Sequence, residues 1–161
     1  MMTIAVYHLR YDAPVGMRES LEYPTFFAPG AMPGSEEYSN LLADLRAERA
    51  RGLFESGDYV KVATVTAFGD EETAMANAVK LTRNGLSIRS WSLSPPPGVI
   101  PERPGYFEVF SQRRGRTERI DFGSTSVGAL MELEDGRTFV MNTDGFRELP
   151  PAPETALRPG M

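Results

Sequence analysis

His8 is the only imidazole among 161 residues, and no cysteine accompanies it. A nucleophilic triad needs a nucleophile, a base and an orienting carboxylate, and none of the serines lies in a Gly-x-Ser-x-Gly elbow. His8 falls inside the apolar run Ile4-Ala-Val-Tyr-His-Leu9, where a hydrogen-bonded structural histidine is preferred over a catalytic base. A small hydrolase or transferase built on His8 stays as a minor alternative. With no thiol and no second imidazole, a structural zinc set cannot be completed. The carboxylates are more numerous. Glu36-Glu37 and Glu71-Glu72 sit where acidic side chains stabilise the positive ends of helices, while Glu132 and Glu134 share one strand face, as on a solvated outer surface. No spacing matches a calcium loop, and no glycine-rich phosphate loop is present. The expectation is a non-enzyme with no catalytic residues, no metal and no cofactor.

Two constellations point instead to binding. Arg113, Arg114, Arg116 and Arg119 crowd one turn beside Tyr106 and Phe107. Guanidinium forks suit phosphate or an acidic protein surface, and the aromatic rings would serve as stacking platforms for bases. Glu108 and Glu118 dilute the cluster, which makes a solvated turn the plainer account. A net charge of −5, from 17 Lys and Arg against 22 Asp and Glu, disfavours broad affinity for nucleic acid. The second constellation is Gly123-Ser-Thr-Ser-Val-Gly128. The hydroxyls and amides around Ser124, Ser126 and Gly128 form a candidate anion corner, although a strand-entry corner with hydroxyls capping nearby backbone explains it equally well. The helix-start acids with Asp44, Glu48, Asp58 and Asp70 suggest an acidic surface that inhibits a DNA-binding host protein. Charge spread in this way is more simply solubility.

The elements that would position these groups are short. Gly and Pro number 15 and 13, while apolar and charged contents of 41% and 24% are ordinary for a globular domain. Residues 3–11 read as a central strand with Ile4, Val6 and His8 on one face and Tyr7 and Leu9 on the other. Residues 12–34, punctuated by prolines and glycines, read as an irregular ordered lid carrying Tyr23, Phe26 and Phe27. A helix capped by Ser35 and closed at Gly52 follows, with Tyr38, Leu41, Leu42 and Leu45 as its apolar stripe. Next come a strand over 58–68 and a helix capped by Asp70, ending at Asn84-Gly85 with a thin, shallow stripe. Pro95-Pro-Pro-Gly-Val-Ile-Pro101 reads as a polyproline spacer, and residues 106–122 as a hairpin. At the C-terminal end, strands 129–134 and 137–141 flank Asp135-Gly136, a type I′ hairpin signal.

The corner and hairpin, through Ser124, Ser126, Val127, Gly128, Leu130, Gly145 and Phe146, resemble the YodL-like family of small accessory proteins from conjugative elements, plasmids and phages. The opening Ile4-Ala-Val-Tyr-His-Leu9 and the middle Asp58-Tyr-Val-Lys-Val62 are similar in placement. The acidic residue that follows the corner in that family is Ala129 here, so no role of that carboxylate transfers. The resemblance implies a mobile-element accessory protein and supplies no catalytic residues.

These readings converge on an α+β fold, in which a small, mostly antiparallel sheet carries two helices packed on one face and ends in a C-terminal β-hairpin. Residues 1–149 make a single domain, and 150–161 a disordered proline-rich tail. No apolar run nears the roughly 18 residues that span a bilayer, and no secretory signal is evident. The expected role is cytoplasmic, a phage or plasmid accessory protein acting through contacts with a host or element-encoded protein. Nucleic-acid binding through the basic hairpin tip is the alternative.

Overall fold

Apolar side chains on both faces of one strand demand cover from both sides. That strand is β1 (Met2–Leu9), which pairs antiparallel with β2 (Tyr59–Ala67) and with β4 (Leu130–Glu132). In the computed structural model, which describes residues 1–10, 13–22, 36–83, 91, 95–102 and 124–151, the sheet has six antiparallel strands. Their order is β3-β2-β1-β4-β5-β6, with β3 at Val99–Pro101, β5 at Thr138–Asn142 and β6 at Gly145–Glu148. β1 is therefore central, as its pattern requires. The fold is α+β, and β5 and β6 form a hairpin at the C-terminal end.

Among the described residues three helices pack on this sheet: α1 (Val15–Glu22), α2 (Glu36–Glu55) and α3 (Glu71–Leu81). The two-helix, one-face arrangement suggested by the sequence resolves into helices on both faces. Ile4, Val6, Ala63, Val65 and Met131 join Ala74, Met75, Ala78 and Val79 of α3 in one core. Leu130, Val140 and Tyr59 join Leu21 of α1 and Ala47, Ala50 and Leu53 of α2 in the other, with Tyr7 and Leu9 packed against it. A bulge lets Val6 face Ala63 while Tyr7 faces Lys61, so Val62 is the extra residue and lies in the α3-side core.

The helix ends explain several departures from the pattern. Within the region expected to be irregular, Pro14 starts α1: its carbonyl accepts from the amides of Met17 and Arg18 at 3.0 and 3.3 Å. Residue 12 and residues 23–34 of that region, with Tyr23, Phe26 and Phe27, lie outside the described residues, as does the Ser35 cap of the next helix. α2 runs through Gly52 and ends in a Schellman motif. Gly57, at φ +82°, donates to the Phe54 carbonyl, and the Asp58 amide donates to the Leu53 carbonyl at 2.9 Å. Asp70 caps α3 as expected, accepting from the Thr73 amide at 2.8 Å, but the helix closes at Thr82 rather than at Asn84-Gly85. Its small residues are fully buried instead of shallow.

The strands show similar adjustments. The proline-rich run delivers β3 to the sheet edge, with Ala63 opposite Pro101, a position where a missing amide is tolerated. At the hairpin between β4 and β5 only Gly136 has positive φ, +92°. Its amide donates to Leu133 and the Leu133 amide to Arg137, which is a three-residue connection with a glycine bulge in place of type I′. The 106–122 hairpin and residues 152–161 of the tail lie outside the described residues. No helix among the described residues is long and apolar enough to cross a membrane.

Gly52 is helical, exposed and has open space around its Cα, whereas Gly57 needs the left-handed region. Gly52→Ala should therefore stabilise the protein by about 0.5–1 kcal/mol, and Gly57→Ala should destabilise it by about 1 kcal/mol. Urea midpoints of the two variants against the parent check both signs.

Candidate functional site

The buried face of α2 is Ala43, Arg46, Ala47, Ala50 and Leu53, whereas Tyr38, Leu41, Leu42 and Leu45 of the expected stripe are only half-buried. Alanines let the helix approach the sheet closely, and that approach carries Arg46 inside with 3% of its surface exposed. Its guanidinium meets the carbonyls that α1 leaves without intrahelical partners. Nε donates to the Leu21 carbonyl at 2.7 Å, Nη2 to the Glu22 carbonyl at 3.0 Å, and Nη1 to Oδ1 of Asn142 at the end of β5. One side chain thus ties α1, α2 and β5 together. Burial lowers the pKa of Arg46 from its ordinary value, while the charges of Asp144 and Glu22 act in the opposite sense. The group remains a cation, because no protein environment deprotonates it.

Other arginines reinforce the seat of α1. Arg18 donates to the Arg10 carbonyl at 3.0 Å, Arg49 to the Ser20 hydroxyl at 2.9 Å, and Arg10 pairs with Asp58 at 2.9 Å.

The corner before β4 crosses between the two cores. Ser126 to Ala129 is a turn closed by the Ala129 amide donating to the Ser126 carbonyl at 2.9 Å, with Gly128 at φ +95° in the position that requires glycine. The Gly128 amide donates to Met141, and its carbonyl accepts from the buried Tyr59 hydroxyl at 2.6 Å. Burial raises the pKa of that phenol. The Thr125 amide donates to the Thr82 carbonyl. The amides of Thr125, Gly128 and Ala129 are thus committed to the fold. Among the candidate corner residues, Ser124 and Ser126 are exposed and Gly128 is buried.

His8 lies beside the other core, against Trp91. Its Nε2 lies 2.8 Å from the Thr125 hydroxyl, which lies 2.7 Å from that of Thr82, which donates to the Ala78 carbonyl at 2.7 Å. In one consistent direction each group donates once, from the imidazole N–H to the helix carbonyl. Trp91 meets the imidazole edge-on at 6.4 Å. Burial, helped by the charge of Arg18, lowers the His8 pKa to about 4, so the ring is neutral near pH 7. The carboxylates are also engaged: Glu132 accepts from Tyr7, Glu134 from the Thr3 amide, and Glu71 pairs with Arg137. Among the described residues no three His, Asp or Glu side chains converge as a metal set would.

A cleft of about 490 Å³ opens above Arg46. Tyr38 and Leu42 of α2, Ser126 and Val127 of the corner, Thr143 of the β5–β6 turn and Glu22 at the end of α1 form its walls. Among the described lining residues, Arg46 alone is buried. Of the sequence candidates among the described residues, only Ser126 reaches this cleft. Arg113, Arg114, Arg116, Arg119, Tyr106 and Phe107 lie outside the described residues. Sequence pattern alone missed Arg46, and the available signal was a cation at the centre of the alanine stripe 43, 47 and 50. No protein-family model, curated protein or solved structure gives a significant match to this chain.

Because His8 is held neutral in the fold, it opposes folding once the unfolded chain begins to bind a proton there. The contribution is intact above the unfolded value of 6.5 and is lost as pH falls towards about 4. Between about pH 7.5 and pH 5 the parent should lose up to about 2 kcal/mol more stability than His8→Gln, which keeps a donor but no titration. Urea denaturation at the two pH values measures this difference, and equal losses would contradict it.

Proposed function

We propose that this chain is a small non-enzymatic binding protein, a cytoplasmic accessory of a plasmid or phage that works through contacts with a host or element-encoded protein. The observation that carries this reading is the inward commitment of its chemically versatile groups. The sole imidazole is fixed in a relay that ends on the Ala78 carbonyl, and part of the Arg46 guanidinium is spent on backbone and amide oxygens. The Nε2 N–H is spent on Thr125 and burial keeps the ring neutral, which supports a structural rather than a catalytic imidazole, since a general base needs hydrogen-bond reach to the reacting atom. The similarity of the Ser124–Gly128 corner and its hairpin to mobile-element accessory proteins supports the cellular setting.

The test is a tagged full-length chain used as bait in host lysate, followed by reconstitution of any recovered protein in purified form. A one-to-one complex that survives gel filtration is the expected result. Failure to reconstitute a complex, or measurable turnover by the purified protein alone, would contradict it. Binding to DNA or RNA that weakens steeply with salt, and whose slope flattens in Arg113→Ala with Arg114→Ala, would return the nucleic-acid reading instead.

A further inference from the structure

We propose that the cleft above Arg46 is a binding site for a single carboxylate joined to a small apolar group, held by the guanidinium N–H groups that the fold leaves without partners. A guanidinium carries five N–H donors. Three are engaged, by the carbonyls of Leu21 and Glu22 and by Oδ1 of Asn142. Among the described residues the other two meet no acceptor, and no carboxylate stands within ion-pair distance of this cation. Every acceptor that it does have is formally neutral. A cation with 3% exposure and only neutral hydrogen-bond partners is costly, and a carboxylate in the cleft would supply the missing acceptors and a closer charge than those of Asp144 and Glu22.

The walls narrow the ligand further. Leu42 and Val127 offer apolar surface, and the Ser126 and Thr143 hydroxyls offer further donors. Glu22 at the rim and the field of Asp144 oppose a polyanion, so one negative charge fits better than a phosphate ester does. The volume suits a small organic acid or the last residue of a peptide. Both sources present the same chemistry. The proposal stands apart from the protein-contact reading and does not need it.

The test is an NMR titration of the full chain with 4-methylpentanoate and, separately, 4-methylpentanamide. The acid should shift the amide signals of Leu42, Val127 and Thr143 and the Arg46 Nε–H saturably. The amide, which lacks the charge, should bind at least about tenfold more weakly. Ser126→Glu places a second anion at the mouth on an exposed side chain and should weaken the acid by a similar factor while leaving the rest of the spectrum native. Acetyl-Ala-Leu with a free or an amidated C-terminus separates the sources. A free-terminus peptide that binds more tightly than the acid assigns the site to polypeptide ends, and a weaker one assigns it to small acids. Absence of shifts with both the acid and the free-terminus peptide would overturn the proposal, as would equal binding of acid and amide or undiminished binding by Ser126→Glu.

Discussion

A guanidinium inside a protein must be met by oxygen atoms on several sides, or the fold would be better without it. Arg46 meets that condition by drawing three separate elements to one point. The carbonyls of Leu21 and Glu22 are the free end of α1 and carry the negative pole of that short helix. Asn142 closes β5. A helix of eight residues is marginal by itself, so α1 depends on this anchor and on the Leu21 side chain packed beneath it. Arg46 also lines a cleft, and under the proposal above a structural clamp thereby becomes a candidate recognition element.

The Ser124–Gly128 corner is the second organising feature, because it touches both cores at once. Thr125 reaches into the α3 side, where His8 and Thr82 complete a buried hydrogen-bond chain. Gly128 faces the α1 side, with Leu21 Cβ at 3.6 Å from where its own Cβ would stand, and it is fixed by Tyr59 and Met141. Between them, Ser126 and Val127 form one wall of the cleft. The geometry of the site therefore rests on the same hydrogen bonds that join the two layers. Buried polar networks of this kind stabilise only when every member is satisfied, and here each hydroxyl has a place to donate.

Local chemistry was legible in the sequence wherever one residue decides the outcome. Asp70 with Glu71 and Glu72 marked the start of α3, apolar residues on both faces of 3–11 marked a central strand, and Asp135-Gly136 marked a hairpin. What pattern could not show was set by partners distant in sequence. Leu41, Leu42 and Leu45 look like a core face, yet the sheet accepts the alanine face instead because smaller side chains allow closer approach. Gly52 and Gly57 are equally plausible stops by residue type, and only the backbone at Gly57 adopts the left-handed geometry. Pro14 and Gly16 read as loop punctuation although Pro14 opens a helix. β6 was hidden because Gly145-Phe-Arg-Glu148 is short and polar at its end. Arg46 carries no local signal of burial beyond its alanine neighbours, since its acceptors lie 24 to 96 residues away along the chain.

The central claim is that the buried guanidinium of Arg46 couples α1 and α2 to the end of β5. A double-mutant cycle of Arg46→Met and Asn142→Ala, read by urea denaturation, tests it most directly. The structure predicts a coupling energy of at least about 1 kcal/mol, because removal of either partner leaves the other buried without its bond. Effects that add to within about 0.5 kcal/mol would show that the two side chains act independently and would contradict the account.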